Sequence, residues 1–147
     1  MSSFETDRKT AVQTIDSEIE ALKILRDNLN ESLTQSLDLM ERAGGRVIVT
    51  GMGKSGHVGK KIVASLASTG TPAFFVHPAE ASHGDLGMIT PKDVVIAISN
   101  SGESKELADI VYYCKRFDIP LIAMTKNPGS SLGKAATVVL ALPNIGE

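Results

Sequence analysis

Six residues, Gly51-Met52-Gly53-Lys54-Ser55-Gly56, combine three glycines with an ammonium and a hydroxyl. They follow the apolar run Val47-Ile48-Val49-Thr50 and precede a helical pattern, so the chain reads as strand, glycine turn and helix start. Backbone N–H groups at a helix N-terminus, with glycines that let a ligand come close, make an anion site. A second turn, Ser99-Asn100-Ser101-Gly102-Glu103-Ser104, places three hydroxyls around what the pattern predicts to be another helix N-terminus. Hydroxyls together with N–H donors suit a small, doubly charged anion such as a phosphate monoester. Helix capping worth about 1 kcal/mol would explain Ser101 alone. Three serines and a fourth at Ser55 ask for a ligand.

Spacing sorts the classes of phosphate loop. A Walker A loop needs a glycine five residues before Gly53, and Ile48 stands there, inside the strand. The dinucleotide fingerprint is met literally by Gly51, Gly53 and Gly56. Its acidic partner, expected about 20 positions on, is replaced by His77 and Pro78, with Glu80 following. A Lys-Ser pair inside the turn also suits a compact monoester better than a pyrophosphate.

These turns need a frame. Val12, Ile15, Ile19, Leu22, Leu25, Leu29, Leu33, Leu37 and Met40 recur at steps of three and four, which predicts an amphipathic helical segment over 1–45. Asn28 and Asn30 offer a break into two helices, and the segment packs on its own domain or on a neighbouring subunit. From residue 46 to 147 the texture becomes β-rich runs alternating with helices. The strands are expected at Val47–Thr50, Ala73–His77, Val94–Ser99, Leu121–Thr125 and Thr137–Leu142, with Pro78–Met88 a long loop and a helix following Ser104. Such alternation implies an α/β fold: a doubly wound, three-layer, five-stranded parallel sheet. In such sheets ligands bind at the carboxyl ends of strands, near the point where strand order reverses, and both glycine-serine turns lie at carboxyl ends.

Composition narrows the partners. A formal net charge of −2 provides no overall basic field for nucleic acid or an acidic membrane. No apolar run approaches the ~20 residues of a membrane helix. The single cysteine, Cys114, excludes an internal disulfide and fits a reducing compartment, so the cytoplasm is the expected location. His77 and His83 with Glu80 and Asp85 have no spacing diagnostic of a metal, and neither metal nor cofactor is expected.

Four motifs in order, Gly-Met-Gly-Lys-Ser-Gly, Ser-Thr-Gly-Thr-Pro-Ala-Phe-Phe-Val-His-Pro, Ala-Ser-His-Gly-Asp-Leu-Gly-Met and Ile-Ser-Asn-Ser-Gly-Glu-Ser, resemble the sugar isomerase (SIS) domain. More narrowly, they resemble the arabinose-5-phosphate isomerases, from about Val47 to Glu147. The resemblance implies a flavodoxin-like sheet, a sugar-phosphate substrate, and interconversion of ribulose 5-phosphate and arabinose 5-phosphate through an enediolate. The product would feed synthesis of the 3-deoxy-octulosonate of lipopolysaccharide or capsule. Self-association as a dimer or tetramer is expected with it.

That reaction needs a base, an electrophile for the oxyanion, an acid for ring opening and a phosphate anchor. The anchor is assigned to Ser55, Ser99, Ser101 and Ser104 with the backbone of Gly53 and Asn100. Lys54 would stabilise the phosphate or the enediolate oxygen. Glu103, Glu106, Glu147 and His83 are the candidate bases. The resemblance favours Glu106 and Glu147 as active-site carboxylates, with His83 in proton transfer or holding a sugar hydroxyl. It also implies segments beyond Glu147, namely a closing helix, a His-Pro-Gly-Gly segment and often paired CBS domains, so the sequence reads as a fragment whose own turnover would be poor. A non-catalytic sugar-phosphate sensor and a heptose- or hexulose-phosphate isomerase are the alternatives.

Overall fold

In a computed structural model the described residues are 3–144. The order is α1 (Ser3–Asp27), α2 (Glu31–Arg42), β1 (Val47–Gly51), α3 (Gly53–Ser68), β2 (Ala73–Phe75), α4 (Pro78–Ser82), β3 (Val94–Ile98), α5 (Ala108–Arg116), β4 (Leu121–Thr125), α6 (Ser131–Ala135) and β5 (Val138–Ala141). Two 3-10 turns, Asp85–Met88 and Lys105–Leu107, precede β3 and α5. The chain divides into two compact units, one containing α1 and the other running from Glu31 to Leu142.

In the larger unit all five strands are parallel, in the order β2-β1-β3-β4-β5. Their side chains alternate between two cores, as the period of two requires. Ile48, Val95, Ala97, Leu121 and Ala123 face Leu107, Ile110 and Cys114 around α5, with Ala81 of α4 and Leu132 of α6. Val47, Val49, Val94, Ile96, Ile98 and Ile122 face α2 through Leu39 and Met40, and α3 through Ile62, Val63 and Leu66. Helices on both faces make the three-layer α/β architecture that the alternation implies.

The break at Asn28–Asn30 is present, because Asn28 Nδ2 donates to Ile24 O at 2.8 Å and ends α1. Along α1, Val12, Ile15, Ile19 and Leu22 are 45–65% exposed.

Other boundaries differ from the sequence reading, each for a local reason. β2 stops at Phe75, and His77 becomes the N-cap of α4, its Nδ1 accepting from Ala79 N–H with Pro78 in the first turn. The expected loop Pro78–Met88 is thus largely helical, because Ala81 is buried and Leu86 packs against the same core. The helix expected directly after Ser104 is delayed by the 3-10 turn, so α5 begins only at Ala108.

The amino ends of β1 and β3 are joined by a buried carboxylate. Asp93, 2% exposed, accepts from Arg46 N–H at 2.7 Å, Thr90 N–H at 2.7 Å and Thr90 Oγ1 at 3.0 Å, with the Arg46 guanidinium 3.4 Å away. Burial pushes this carboxyl up, but the donors from Thr90 and Arg46 outweigh it and hold it below its ordinary value. Its contribution to stability is therefore complete above the unfolded carboxylate value and is lost as pH falls through the folded one. Asp93→Ala is expected to cost about 3 kcal/mol at neutral pH, since the part-buried N–H groups of Arg46 and Thr90 lose their acceptor. Urea denaturation should show the difference from the unaltered chain shrinking on acidification.

Candidate functional site

Strand order reverses between β1 and β3, and their carboxyl ends lie side by side, Gly51 pairing with Ile98. From this shared edge the chain leaves in two directions. After β1 it enters α3 on one face, and after β3 it runs toward α5 on the other. The two glycine-serine turns, distant in sequence, are therefore the two lips of the switch point, where sheets of this kind bind their ligands.

The first lip is built by steric economy. Gly53 has φ +54°, a conformation that L side chains rarely adopt. A Cβ at Gly56 would sit 2.7 Å from Gly51 O, so only glycine lets α3 start against the strand end. Met52 caps the helix without a side-chain bond, and the first intrahelical bond is Gly56 N–H to Met52 O at 3.3 Å. The N–H groups of Gly53, Lys54 and Ser55 precede it and have no helical acceptor. No acidic residue stands in this first turn. Gly53 and Lys54 are exposed and Ser55 is half-buried, so one turn presents donors, an ammonium and a hydroxyl together.

The second lip is held from within and from below. Ser99 is 3% exposed, and its Oγ accepts from Gly102 N–H at 3.1 Å and meets Ser104 Oγ at 2.9 Å. Its hydroxyl is thus used in shaping the turn. Ser101 is exposed and accepts from Glu103 N–H at 3.2 Å, rather than capping a helix. Asn100 O receives Thr125 Oγ1 and Lys126 N–H, both at 3.2 Å, which fastens the loop to the end of β4. Gly102, at φ +72°, lies against the Ser130 side chain.

Of the carboxylates, Glu103 accepts from Ser131 N–H at 2.9 Å and is held below its ordinary value, chiefly by hydrogen bonding to Ser131. A base whose proton affinity is lowered and whose lone pairs cap α6 is poorly placed for proton abstraction. Glu106, in the 3-10 turn Lys105–Leu107, is exposed and has no hydrogen bond or ion pair among the described residues. His83 is the exposed C-cap of α4, which packs beside that same turn and α5. Ser82 Oγ donates to Asp109 Oδ2 at 2.6 Å and ties α4 to α5. Glu147 lies outside the described residues. Lys54, Ser55, Asn100, Ser101, Ser104 and Glu106 thus stand on segments leaving one sheet edge.

Sequence reasoning passed over the residues that support this edge. Thr50 is fully buried at the end of β1, and its hydroxyl has no partner among the described residues. Thr125 and Ser130 are buried under the second lip. A polar residue closing each apolar strand was the available signal. Among the described residues, no cluster of His, Cys, Asp and Glu could hold a metal ion, and no helix is long and apolar enough to cross a membrane.

Known proteins share this fold and much of this sequence. The chain is 50% identical over 147 residues to the arabinose 5-phosphate isomerase KdsD of Yersinia pestis, covering 97% of this chain and 45% of that one. It is 55% identical over 131 residues to the same enzyme of Pseudomonas aeruginosa, covering 89% and 40%. The chain therefore spans less than half the length of these relatives. Among solved structures, the c3406 protein of E. coli CFT073 in complex with arabinose 5-phosphate superposes with a TM-score of 0.90 at 36% identity, covering all of this chain and 78% of that one. The SIS domain model matches residues 39–144, which takes in α3, the whole sheet and both lips, and on that match the chain belongs to the SIS domain family.

Proposed function

We propose that this chain is the sugar-phosphate-binding and catalytic domain of an arabinose-5-phosphate isomerase, interconverting D-ribulose 5-phosphate and D-arabinose 5-phosphate. The observation that carries the reading is the pairing of Gly51 with Ile98, which sets the Lys54-Ser55 turn against the serine turn at one switch point. Support comes from the KdsD relatives at 50–55% identity and from the sugar-phosphate complex of the c3406 protein.

In this reading the 5-phosphate lies between the lips. It accepts from the N–H groups at the start of α3 and from Ser55, Ser101 and Ser104, while Ser99 and Asn100 shape the second lip. A base removes the proton from C1 of the ketose, and charge passes to the oxygen on C2. The hydroxyl proton on O1 then passes to O2, and returning the abstracted proton to C2 leaves the aldose with its carbonyl at C1. Lys54, next to Ser55, stabilises the enediolate oxygen, and Glu106, two residues past the serine turn, is the base. His83 and Glu147 complete proton transfer or hold sugar hydroxyls. The domain is assigned to the cytoplasm, with its product used in 3-deoxy-octulosonate synthesis. Residues 1–45 serve self-association, supported by the exposure of Val12, Ile15, Ile19 and Leu22 along one stripe of α1.

The test has two arms. Titration with arabinose 5-phosphate should show binding by the isolated chain. Placed in the Yersinia pestis enzyme in exchange for that enzyme's own domain, the same residues should restore turnover. A chimera that folds, binds sugar phosphate and does not isomerise it would favour a sensor instead.

A further inference from the structure

The proposal here rests on the sugar-phosphate reading and concerns how the second lip is kept in its binding shape. That lip is not the start of a long helix, so no helical bonding holds it. Instead it is fastened to the β4–α6 connection. Two of these fastenings are main-chain acceptors: Asn100 O takes Thr125 Oγ1 and Lys126 N–H, and Gly102 O takes Leu132 N–H at 3.0 Å. The third is a side chain, Glu103, whose Oε1 accepts from Ser131 N–H at 2.9 Å. The same residue reaches the other way, its own N–H donating to Ser101 Oγ at 3.2 Å. Lys134 on α6 adds a favourable charge to the Glu103 carboxylate.

We infer that Glu103 is a positioning residue, a latch that fixes the serine turn to α6 and so holds Ser101 ready for the phosphate. It does not exchange protons with the sugar. Without the latch the turn spends part of its time away from the binding shape. The apparent affinity then falls in proportion to the population lost, while a substrate once bound meets an unchanged catalytic apparatus. The signature is a raised Kd and KM with kcat unaltered, which neither a lost base nor a global loss of stability produces.

The structure offers a clean way to cut the latch from its far side. Ser131 is the first residue of α6, where proline is well tolerated, and Ser130 before it already has φ −67° and ψ 171°, which proline favours. Ser131 N–H donates to Glu103. Ser131→Pro therefore removes the donor and leaves Glu103 in place.

Glu103→Ala and Ser131→Pro are each expected to weaken arabinose 5-phosphate binding about tenfold, as when nine-tenths of the competent population is lost. The double variant should bind no more weakly than either single one, because both cut the same bond. Glu103→Gln, which keeps an acceptor oxygen, should stay within about threefold of the unaltered chain. Amide hydrogen exchange at Gly102 and Leu132 should quicken in Glu103→Ala and Ser131→Pro and not in Glu103→Gln. Unchanged affinity in Glu103→Ala, multiplying effects in the double variant, or exchange that stays slow would each overturn the latch. A fall in melting temperature without a change in affinity would reduce Glu103 to a stabilising contact and overturn it too. If the unaltered chain binds no sugar phosphate, the isomerase reading fails, and the exchange measurement still decides whether Glu103 holds the turn.

Discussion

Lys54→Ala is expected to lower ribulose 5-phosphate turnover by about 10²–10³-fold in the chimera, the size of effect seen when one preorganised oxyanion partner is removed. The same change should leave stability unharmed, or improve it. Lys54 is exposed, has no hydrogen bond or ion pair among the described residues, and stands in the first turn of α3. A cation there opposes the helix macrodipole, a conflict worth about 0.3–1 kcal/mol. A residue that costs stability at the mouth of an anion site is held there by function, so loss of rate and gain of stability should appear together. Melting curves and formation of arabinose 5-phosphate measure the two halves. Unchanged turnover would remove Lys54 from the chemistry, and a large loss of stability would mean that it has a packing role.

Gly102→Ala should be the most damaging small change in the second lip. At φ +72° an L side chain is strained, and the added methyl group would overlap the Ser130 side chain and approach Thr125 Oγ1 to 3.0 Å. Ser130 cannot give way cheaply, being 1% exposed with its Oγ capping α6 through Gly133 N–H at 3.2 Å. Strain and overpacking together should cost about 2–4 kcal/mol. Because Gly102 also links Ser99 below to Leu132 beside it, sugar-phosphate affinity should fall further than the latch variants lower it. Urea denaturation and titration with arabinose 5-phosphate test the two statements. A variant as stable and as tight-binding as the unaltered chain would show that the turn opens without penalty.

The two lips contrast in how much of them could be read beforehand. The first was legible because strand, glycines and helix are contiguous, and the physics of a helix N-terminus is local. In the second, the serines were legible as donors but their division of labour was not. Ser99 bends inward to Gly102 and Ser104, and Ser101 bonds to Glu103 N–H, choices made by the backbone of a turn that no periodicity describes. The expected helix start misled for the same reason. Leu107 is buried beneath a 3-10 turn, and that single turn delays α5 and moves Glu106 out of a regular helix. Between His77 and Met88 the polar residues suggested a loop, whereas burial of Ala81 and Ile89 winds it into short helical pieces.

The α/β class, the five parallel strands and the likeness to SIS domains were legible in the chain alone, because alternation of β-rich and helical runs and a glycine-serine turn are local properties. It took the folded chain to make β1 and β3 neighbours, to bring their turns to one switch point, and to bond Glu103 to Ser131. Those are facts of pairing between segments some 50 and 28 residues apart, set by strand register and by buried polar groups finding partners.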